Sequence, residues 1–284
     1  MDQINNVNPL AKHFRQPALY IKLTSEGKFW KEGSLELPVT GELPVYPMTT
    51  RDEITLRTPD ALINGTSVVN VIQSCCPGIK NAWEMPSVDV DTTLIAIRIA
   101  SYGPTMAIGS TCPNCGTEHD YDVDLTSVLG SVSMPDYTKI VELPDGLSIR
   151  LRPLTYAQIS KSGSIVFEEE KLIQTLADPD LDADVKKIKY NEHVNTMVEL
   201  NIDTMASCTA SITTKEGNVV TDSKFIKEYY SNSESTVLRR IQETIDEFAK
   251  SISIKPIDVK CTECETDFSL AIDFDYASFF ARGF

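Results

Sequence analysis

The sequence predicts an α+β protein: a helical body, a small β subdomain split by a long insert and tied by four cysteines, and an extended N-terminal arm. Three observations predict this. Apolar residues recur at helical spacing through much of the chain. Two Cys-x-x-Cys pairs stand far apart, at residues 112–115 and 261–264. Residues 1–53 hold prolines and scattered aromatics with little periodicity.

Within the arm, residues 18–23 are the one clear strand candidate. The segment Glu42-Leu-Pro-Val-Tyr-Pro-Met48 carries prolines that remove backbone donors and favour extended backbone, so it is expected to lie along a surface rather than inside a sheet. A helical core segment, residues 54–104, comes next. Ile54-Thr-Leu-Arg57 reads as a short strand, and Thr58-Pro59-Asp60 as a helix start, with a capping residue, a proline at the first helical position and an acid in the first turn. Asn64-Gly65 breaks the chain. A second helix starts at Thr66, carries Val68, Val69, Val71, Ile72 and Cys75, and stops at Pro77-Gly78. A third starts near Ser87 and ends at Gly103-Pro104; Val90, Leu94, Ile95, Ile97 and Ile99 cover most of its circumference, so it should be central and buried nearly all round.

Residues 126–252 read as a mostly helical insert with short hairpins. Strand-like runs at 137–143 and 147–151 flank Pro144-Asp145-Gly146, a hairpin signal. Helical stretches at 156–176 and 184–206 follow, separated by Asp178-Pro179-Asp180. A short hairpin at 210–220 turns at Glu216-Gly217 and precedes helices at 222–230 and 233–251. Residues 275–284 form an aromatic tail with Phe279, Phe280 and Phe284.

Composition narrows the function classes. With 284 residues and 42% hydrophobic content, the chain can bury a proper core. Its 41 acidic against 26 basic residues give a formal charge of -15, which repels phosphate backbones and anionic lipid headgroups. No run approaches the roughly 18 to 20 apolar residues of a membrane helix, and Met1 to Pro9 lack the charged-then-apolar order of a signal peptide, so a soluble cytosolic product is expected. Seven cysteines is an odd number; in a thiol-reducing compartment that favours metal binding or free thiols over a disulfide framework.

Cys112-Pro-Asn-Cys115 and Cys261-Thr-Glu-Cys264 have the spacing at which a tight knuckle points two thiolates at one ion, and two knuckles complete a tetrahedral zinc shell. Each pair leads into a strand, and both share a Thr followed by an acid and later alternating apolar residues. Residues 105–111 and 253–260 are the expected incoming strands, which makes a zinc-ribbon-like subdomain from residues 105–125 and 253–274. The competing reading is two free-thiol pairs or two local disulfides; the matched spacing favours one zinc per chain. Four thiolates leave no open position for water, so the site is structural rather than catalytic. His119 is an alternative ligand, but its place on the outgoing strand favours exposure. Cys75, Cys76 and Cys208 read as small buried hydrophobes.

No GxxxxGK[ST] loop, GxSxG elbow, HExxH helix or GxGxxG turn occurs in the sequence. His193 lies within a helix and reads as a surface or packing residue, and Glu168-Glu-Glu170 as a solvated helix face. Nothing in the sequence calls for an enzyme.

At Asp52-Glu-Ile-Thr-Leu-Arg-Thr-Pro-Asp-Ala-Leu-Ile-Asn-Gly65, Val71-Ile-Gln-Ser-Cys75, Leu94-Ile-Ala-Ile-Arg-Ile-Ala-Ser-Tyr-Gly103 and Cys112-Pro-Asn-Cys115, the chain resembles the baseplate hub family of T-even-type contractile-tailed bacteriophages. The resemblance covers residues 44–125 and is supported by the second cysteine pair and Ser278-Phe-Phe280; the helical middle matches only in general character. It implies a structural or assembly component of the virion tail baseplate, assembled in the host cytoplasm among other baseplate or hub proteins of a symmetric multi-protein assembly. It brings no catalytic residues. The arm and the aromatic tail fit a component held by neighbours, with the arm wrapping its own domain and Phe279, Phe280 and Phe284 folding back onto the core as the alternatives. Two other classes compete: a zinc-ribbon adaptor in transcription, and an enzyme without a recognisable motif. The first needs a basic face or stacking aromatics, whereas Glu118, Asp120, Asp122, Asp124, Glu263, Glu265 and Asp267 surround the cysteines.

The charge balance makes one expectation measurable. No salt-sensitive binding to DNA or RNA should occur at physiological ionic strength, and a gel shift at micromolar protein would contradict it.

Overall fold

The structure, a computed structural model, describes residues 8–57, 65–143, 145–176, 182–252, 254 and 256–270. In chain order its elements are β1 (Leu19–Ile21), β2 (Leu43–Val45), α1 (Thr50–Leu56), α2 (Thr66–Cys75), α3 (Ser87–Tyr102), β3 (Thr105–Thr111), β4 (Glu118–Asp124) and α4 (Leu125–Ser131). There follow β5 (Ile140–Glu142), β6 (Ser148–Leu151), α5 (Tyr156–Leu176), α6 (Ala183–Cys208), β7 (Thr209–Thr213), β8 (Val219–Val220), α7 (Ser223–Asn232), α8 (Ser235–Ile252), β9 (Ile257–Lys260) and β10 (Asp267–Leu270). All strand pairs are antiparallel: β1 with β2, β3 with β4, β9 with β10, and a four-stranded sheet in the order β5-β6-β7-β8. Among the described residues, no helix is long and apolar enough to cross a membrane. The helix start expected at Thr58-Pro59-Asp60, the Asp178-Pro179-Asp180 separator, Pro144, Ser253 and the aromatic tail lie outside the described residues.

Two apolar cores form. The first gathers β1, β2, α1–α4, both cysteine-bearing hairpins and Tyr156 at the start of α5. The second lies between the four-stranded sheet and helices α6, α7 and α8, with Ile149, Ile226, Tyr230 and Ile241 at its centre. Helix α3 joins them: Val88 belongs to the second core, whereas Val90, Leu94, Ile95, Ala96 and Ile97 belong to the first. Its burial extends nearly all round, as its apolar spacing predicts, and it stops where Gly103 takes a positive φ of 89°.

The sequence-based expectation fails at three places in the N-terminal quarter. Residues 50–56 form a helix, not a strand, because Thr49 and Asp52 build a capping box: Asp52 N–H donates to Thr49 Oγ1 at 3.3 Å and Thr49 N–H to Asp52 Oδ2 at 2.7 Å. Leu43–Val45 is a strand, not a surface run. Leu43 and Val45 point inward with no exposed area, while Pro44 sits opposite Tyr20 in a two-stranded edge sheet, which can spare a proline's missing N–H. The described part of the expected arm also folds onto its own body, since Ile21, Leu23, Leu43 and Val45 are core residues and Arg15 reaches the Ser74 carbonyl at 2.7 Å and Asp52 at 3.2 Å. Interleaved apolar residues in an aperiodic segment hide such packing from a periodicity reading. Helix α4, capped by Asp124 through the Thr126 N–H at 2.9 Å, has no counterpart in that reading. In the run expected as a strand over residues 137–143, only Ile140–Glu142 is one; Tyr137 instead packs edge-on to Phe29 and Phe248.

Buried Asp89 fastens the N-terminal segment. It accepts from Ser25 N–H at 2.7 Å, from the Ser25 hydroxyl and from Trp30 Nε1–H at 2.8 Å. Desolvation, opposed by these hydrogen bonds, raises its carboxyl above the usual range. A folded-state pKa above the unfolded one means that its contribution to stability is largest at acid pH and is lost as pH rises through the folded value.

Gly78 tests the docking of this segment. A Cβ there would lie 2.7 Å from the Glu36 carbonyl oxygen and 2.7 Å from Leu43 Cδ1. Gly78→Ala should therefore lower stability by about 1–3 kcal/mol in chemical denaturation, whereas Gly130→Ala in α4, where a Cβ meets nothing within 4 Å, should be neutral or slightly stabilising.

Candidate metal centre

The hairpins β3–β4 and β9–β10 each end in a knuckle of the same build. In the first, Cys112 N–H donates to the Thr117 carbonyl at 2.9 Å and Gly116 N–H to the Cys112 carbonyl at 3.0 Å. In the second, Cys261 N–H donates to the Thr266 carbonyl at 2.9 Å and Glu265 N–H to the Cys261 carbonyl at 3.0 Å. Both knuckles need a left-handed residue just after the second cysteine, supplied by Gly116 at φ 72° and by Glu265 at φ 57°. Each turn thus folds its two Sγ atoms toward the same side.

The two knuckles face each other. Cys112 Sγ lies 3.6 Å from Cys264 Sγ and Cys115 Sγ 3.7 Å from Cys261 Sγ, and all four Sγ atoms fall within 4.8 Å of one another. Such separations exclude a disulfide, whose sulfurs bond at about 2.05 Å, and all seven cysteines are free thiols. This cluster can hold a metal ion. Tetrahedral zinc–thiolate bonds of about 2.3 Å place sulfurs roughly 3.8 Å apart, close to the two observed contacts. Cys112 and Cys261 are buried, Cys264 is half-buried and Cys115 exposed. Below the sulfurs, Tyr121 of β4 meets Phe268 of β10 edge-on at 5.6 Å, and Asn114 Nδ2 donates across the gap to Thr266 Oγ1 at 3.1 Å.

The local field favours thiolate at two positions. The hydroxyl and backbone N–H of Thr266, aided by Asn114, hold Cys264 down to about 5, and the Thr266 hydroxyl lies 3.3 Å from its Sγ. Thr117, two residues after Cys115, lowers that thiol in the same way from 3.4 Å. Against the pull of the Cys115 backbone N–H, burial and the neighbouring thiols push Cys112 up to about 11. Like charges this close resist joint ionisation, and a cation among them removes that resistance.

The other candidates fall outside this group. His119, on β4 opposite Ser110, does not belong to the sulfur cluster. Cys75 and Cys208 are buried, and burial pushes both thiols up to about 12; Cys76 is buried and raised as well. His193 makes the contact that sequence reasoning missed: its Nδ1 lies 2.5 Å from Glu169 Oε2 and so links α6 to α5. Glu169 is thus turned inward, while Glu168 and Glu170 stay exposed; a helical wheel of α5 against α6 could have found it. A groove of about 760 Å³ between α5, α6 and α7 is remote from the clustered cysteines in the chain, and its Lys227 is tied to Asp203 at 2.6 Å and Glu199 at 3.1 Å.

A family model described as T4 bacteriophage base plate protein matches residues 32–281, a span that includes all four clustered cysteines. No curated protein and no solved structure matches.

The two left-handed knuckle positions differ in a way that denaturation can read. Gly116→Ala should cost about 1–2 kcal/mol, the ordinary penalty for a side chain in that conformation. Glu265→Gly removes the same penalty from the second knuckle, so its denaturation midpoint should not fall.

Proposed function

Because the chain belongs to the T4 bacteriophage base plate protein family, we propose that it is a structural or assembly component of a contractile-tail baseplate, in or beside the hub, that works through protein–protein contacts and not catalysis. The family match over residues 32–281 carries this reading. Assembly would take place in the host cytoplasm, with other tail baseplate proteins as partners.

We further propose that Cys112, Cys115, Cys261 and Cys264 hold one structural zinc. The donor set supports this: four sulfurs converge from two knuckles, and thiolate donors select soft or borderline ions. Zinc would supply the charge that lets four thiolates coexist and would clip β3–β4 to β9–β10, with no position left for substrate water. The chain's own part is to preset the knuckles by the backbone hydrogen bonds around Thr117 and Thr266 and to shield the buried pair, Cys112 and Cys261. Nucleic acid is not an expected partner, given the -15 formal charge.

Elemental analysis of freshly reduced protein should find about one zinc per chain, and Cys261→Ser should abolish it and lower stability by several kcal/mol. Iron in place of zinc would change the metal but keep the centre; no metal, with an unchanged melt in Cys261→Ser, would refute it. For the assembly role, the untagged chain should recover tail proteins from an infected lysate. Recovery of RNA polymerase instead would favour the transcription-adaptor reading.

A further inference from the structure

Helices α5 and α6 form a long antiparallel hairpin inserted between β6 and β7. Its base is anchored: Tyr156 of α5 is in the first core, and Ile202, Met205, Ala206 and Cys208 of α6 are buried at the other root. Beyond those roots, neither helix has a single buried residue among those described. At about 1.5 Å per residue, α6 runs roughly 27 Å from Ala183 to Asn201 without burying a side chain. Helices in water owe most of their stability to packing of an apolar face, and this hairpin has such a face with nothing on it.

The face is specific. Tyr190, Val194 and Val198 recur at intervals of four and lie 56%, 40% and 50% exposed, in line with the buried Ile202 and Met205. Lys187, Asn191 and Asn201 also share this face by helical spacing; Asp184 brings a carboxylate to its distal edge, and no charged residue lies on it between Tyr190 and Val198. At the proximal end, α6 and α8 leave a groove of about 300 Å³ lined by Val198, Ile202, Met205 and Leu238, with Arg239 and Gln242 beside them. The stripe therefore has an aromatic knob at one end, an apolar groove with polar neighbours at the other, and Val194 midway.

We infer that this stripe is a self-complementary interface, occupied by α6 of a second copy of the chain in antiparallel register about a two-fold axis at Val194. Such an arrangement lays Tyr190 of each copy over the groove beside Val198 of the other, so one patch satisfies itself, as isologous dimers require. The tyrosine ring enters an apolar slot while its hydroxyl can reach Arg239 or Gln242, the usual way an interface seats an aromatic anchor. Two copies of a chain with a formal charge of -15 repel over most approaches; the uncharged stretch from Tyr190 to Val198 makes this face a favourable meeting place. A basic partner would be drawn to the acidic remainder of the surface, and the stretch from Tyr190 to Val198 offers it no charge to read. The inference does not depend on the zinc proposal or on the tail role.

Sedimentation equilibrium of the full chain decides it. The wild type should be a dimer at micromolar concentration, and Val194→Asp should raise the dissociation constant by at least about tenfold while leaving metal content and helix content unchanged. Should that variant fail to fold, cysteine pairing gives an independent reading: Val194→Cys at the axis should form an intermolecular disulfide on mild oxidation, and Ile188→Cys, on another face of α6, should not. A wild type that stays monomeric up to about 100 µM, a dimer that survives Val194→Asp, or equal cross-linking by the two cysteine variants would overturn the inference.

Discussion

The constraint on which the rest of the structure depends is the meeting of two knuckles separated by 146 to 152 positions in the chain. Everything between them must leave the β3–β4 hairpin and return to within sulfur contact of it. Closing a loop of this length costs on the order of 4 to 5 kcal/mol in chain entropy, and a pair of unlinked thiols has little with which to oppose that. Backbone hydrogen bonds inside each knuckle make the turn but do nothing to join one turn to the other. At the knuckles themselves the joining contacts are the sulfurs, Asn114 to Thr266, and Tyr121 against Phe268; behind them Leu270, Ile257 and Val259 join the first core. An ion bonded to all four sulfurs, as proposed for this site, would be the strongest bond available for that closure, and the donor geometry therefore matters more here than at a site that merely decorates a finished fold.

The returning chain is not a loose loop. It builds its own core from β5–β8 and α6–α8, and it is attached to the first core near α3: Ser87 N–H donates to the Leu154 carbonyl at 2.8 Å, and Tyr156 N–H to the Met85 carbonyl at 2.8 Å. Helix α3 is thus buried on nearly every side because it serves both cores. Polar residues within it are retained only where partners exist, as Asp89 shows with three donors from Ser25 and Trp30. The N-terminal residues are in turn part of the first core, since without them those donors and the bridge from Leu35 to Ile79 would be missing.

How much of this was legible in the sequence depends on whether the signal was local. The cysteine pairs declared themselves because a metal knuckle fixes residue type and spacing within four positions, and the structure brings those same four residues together. Helices α2, α3, α5 and α6 followed from apolar periodicity and from breakers such as Pro77-Gly78 and Gly103-Pro104. Helix α1 does not, although Thr49 and Asp52 stand at capping-box spacing: Ile54-Thr-Leu-Arg57, with two β-branched residues, reads as a short strand. The burial of Leu43 and Val45 had no local signature at all, because it comes from β1 and from α2 and α3 far along the chain. Glu169 was hidden for a related reason. An acid inside a run of three looks solvated until His193, on a different helix, is placed beside it.

The distribution of burial then bears on how a protein of this family enters an assembly. The two cores concentrate stability in the body, while the distal α5–α6 hairpin gains little from its own chain beyond the α5–α6 contact and the Glu169–His193 link. Segments with few buried apolar contacts open at low free energy, so the hairpin is the part whose order a contact with another molecule can change most. Its roots are held on the first core by Tyr156 and on the second by Ile202 and Met205, which means that a force or contact on the hairpin is transmitted to both cores at once. Strengthening the closure at the cysteines and covering the hairpin would act on different parts of the same topology: the first would fix where the insert begins and ends, and the second would order a stretch that, among the described residues, its own cores leave uncovered.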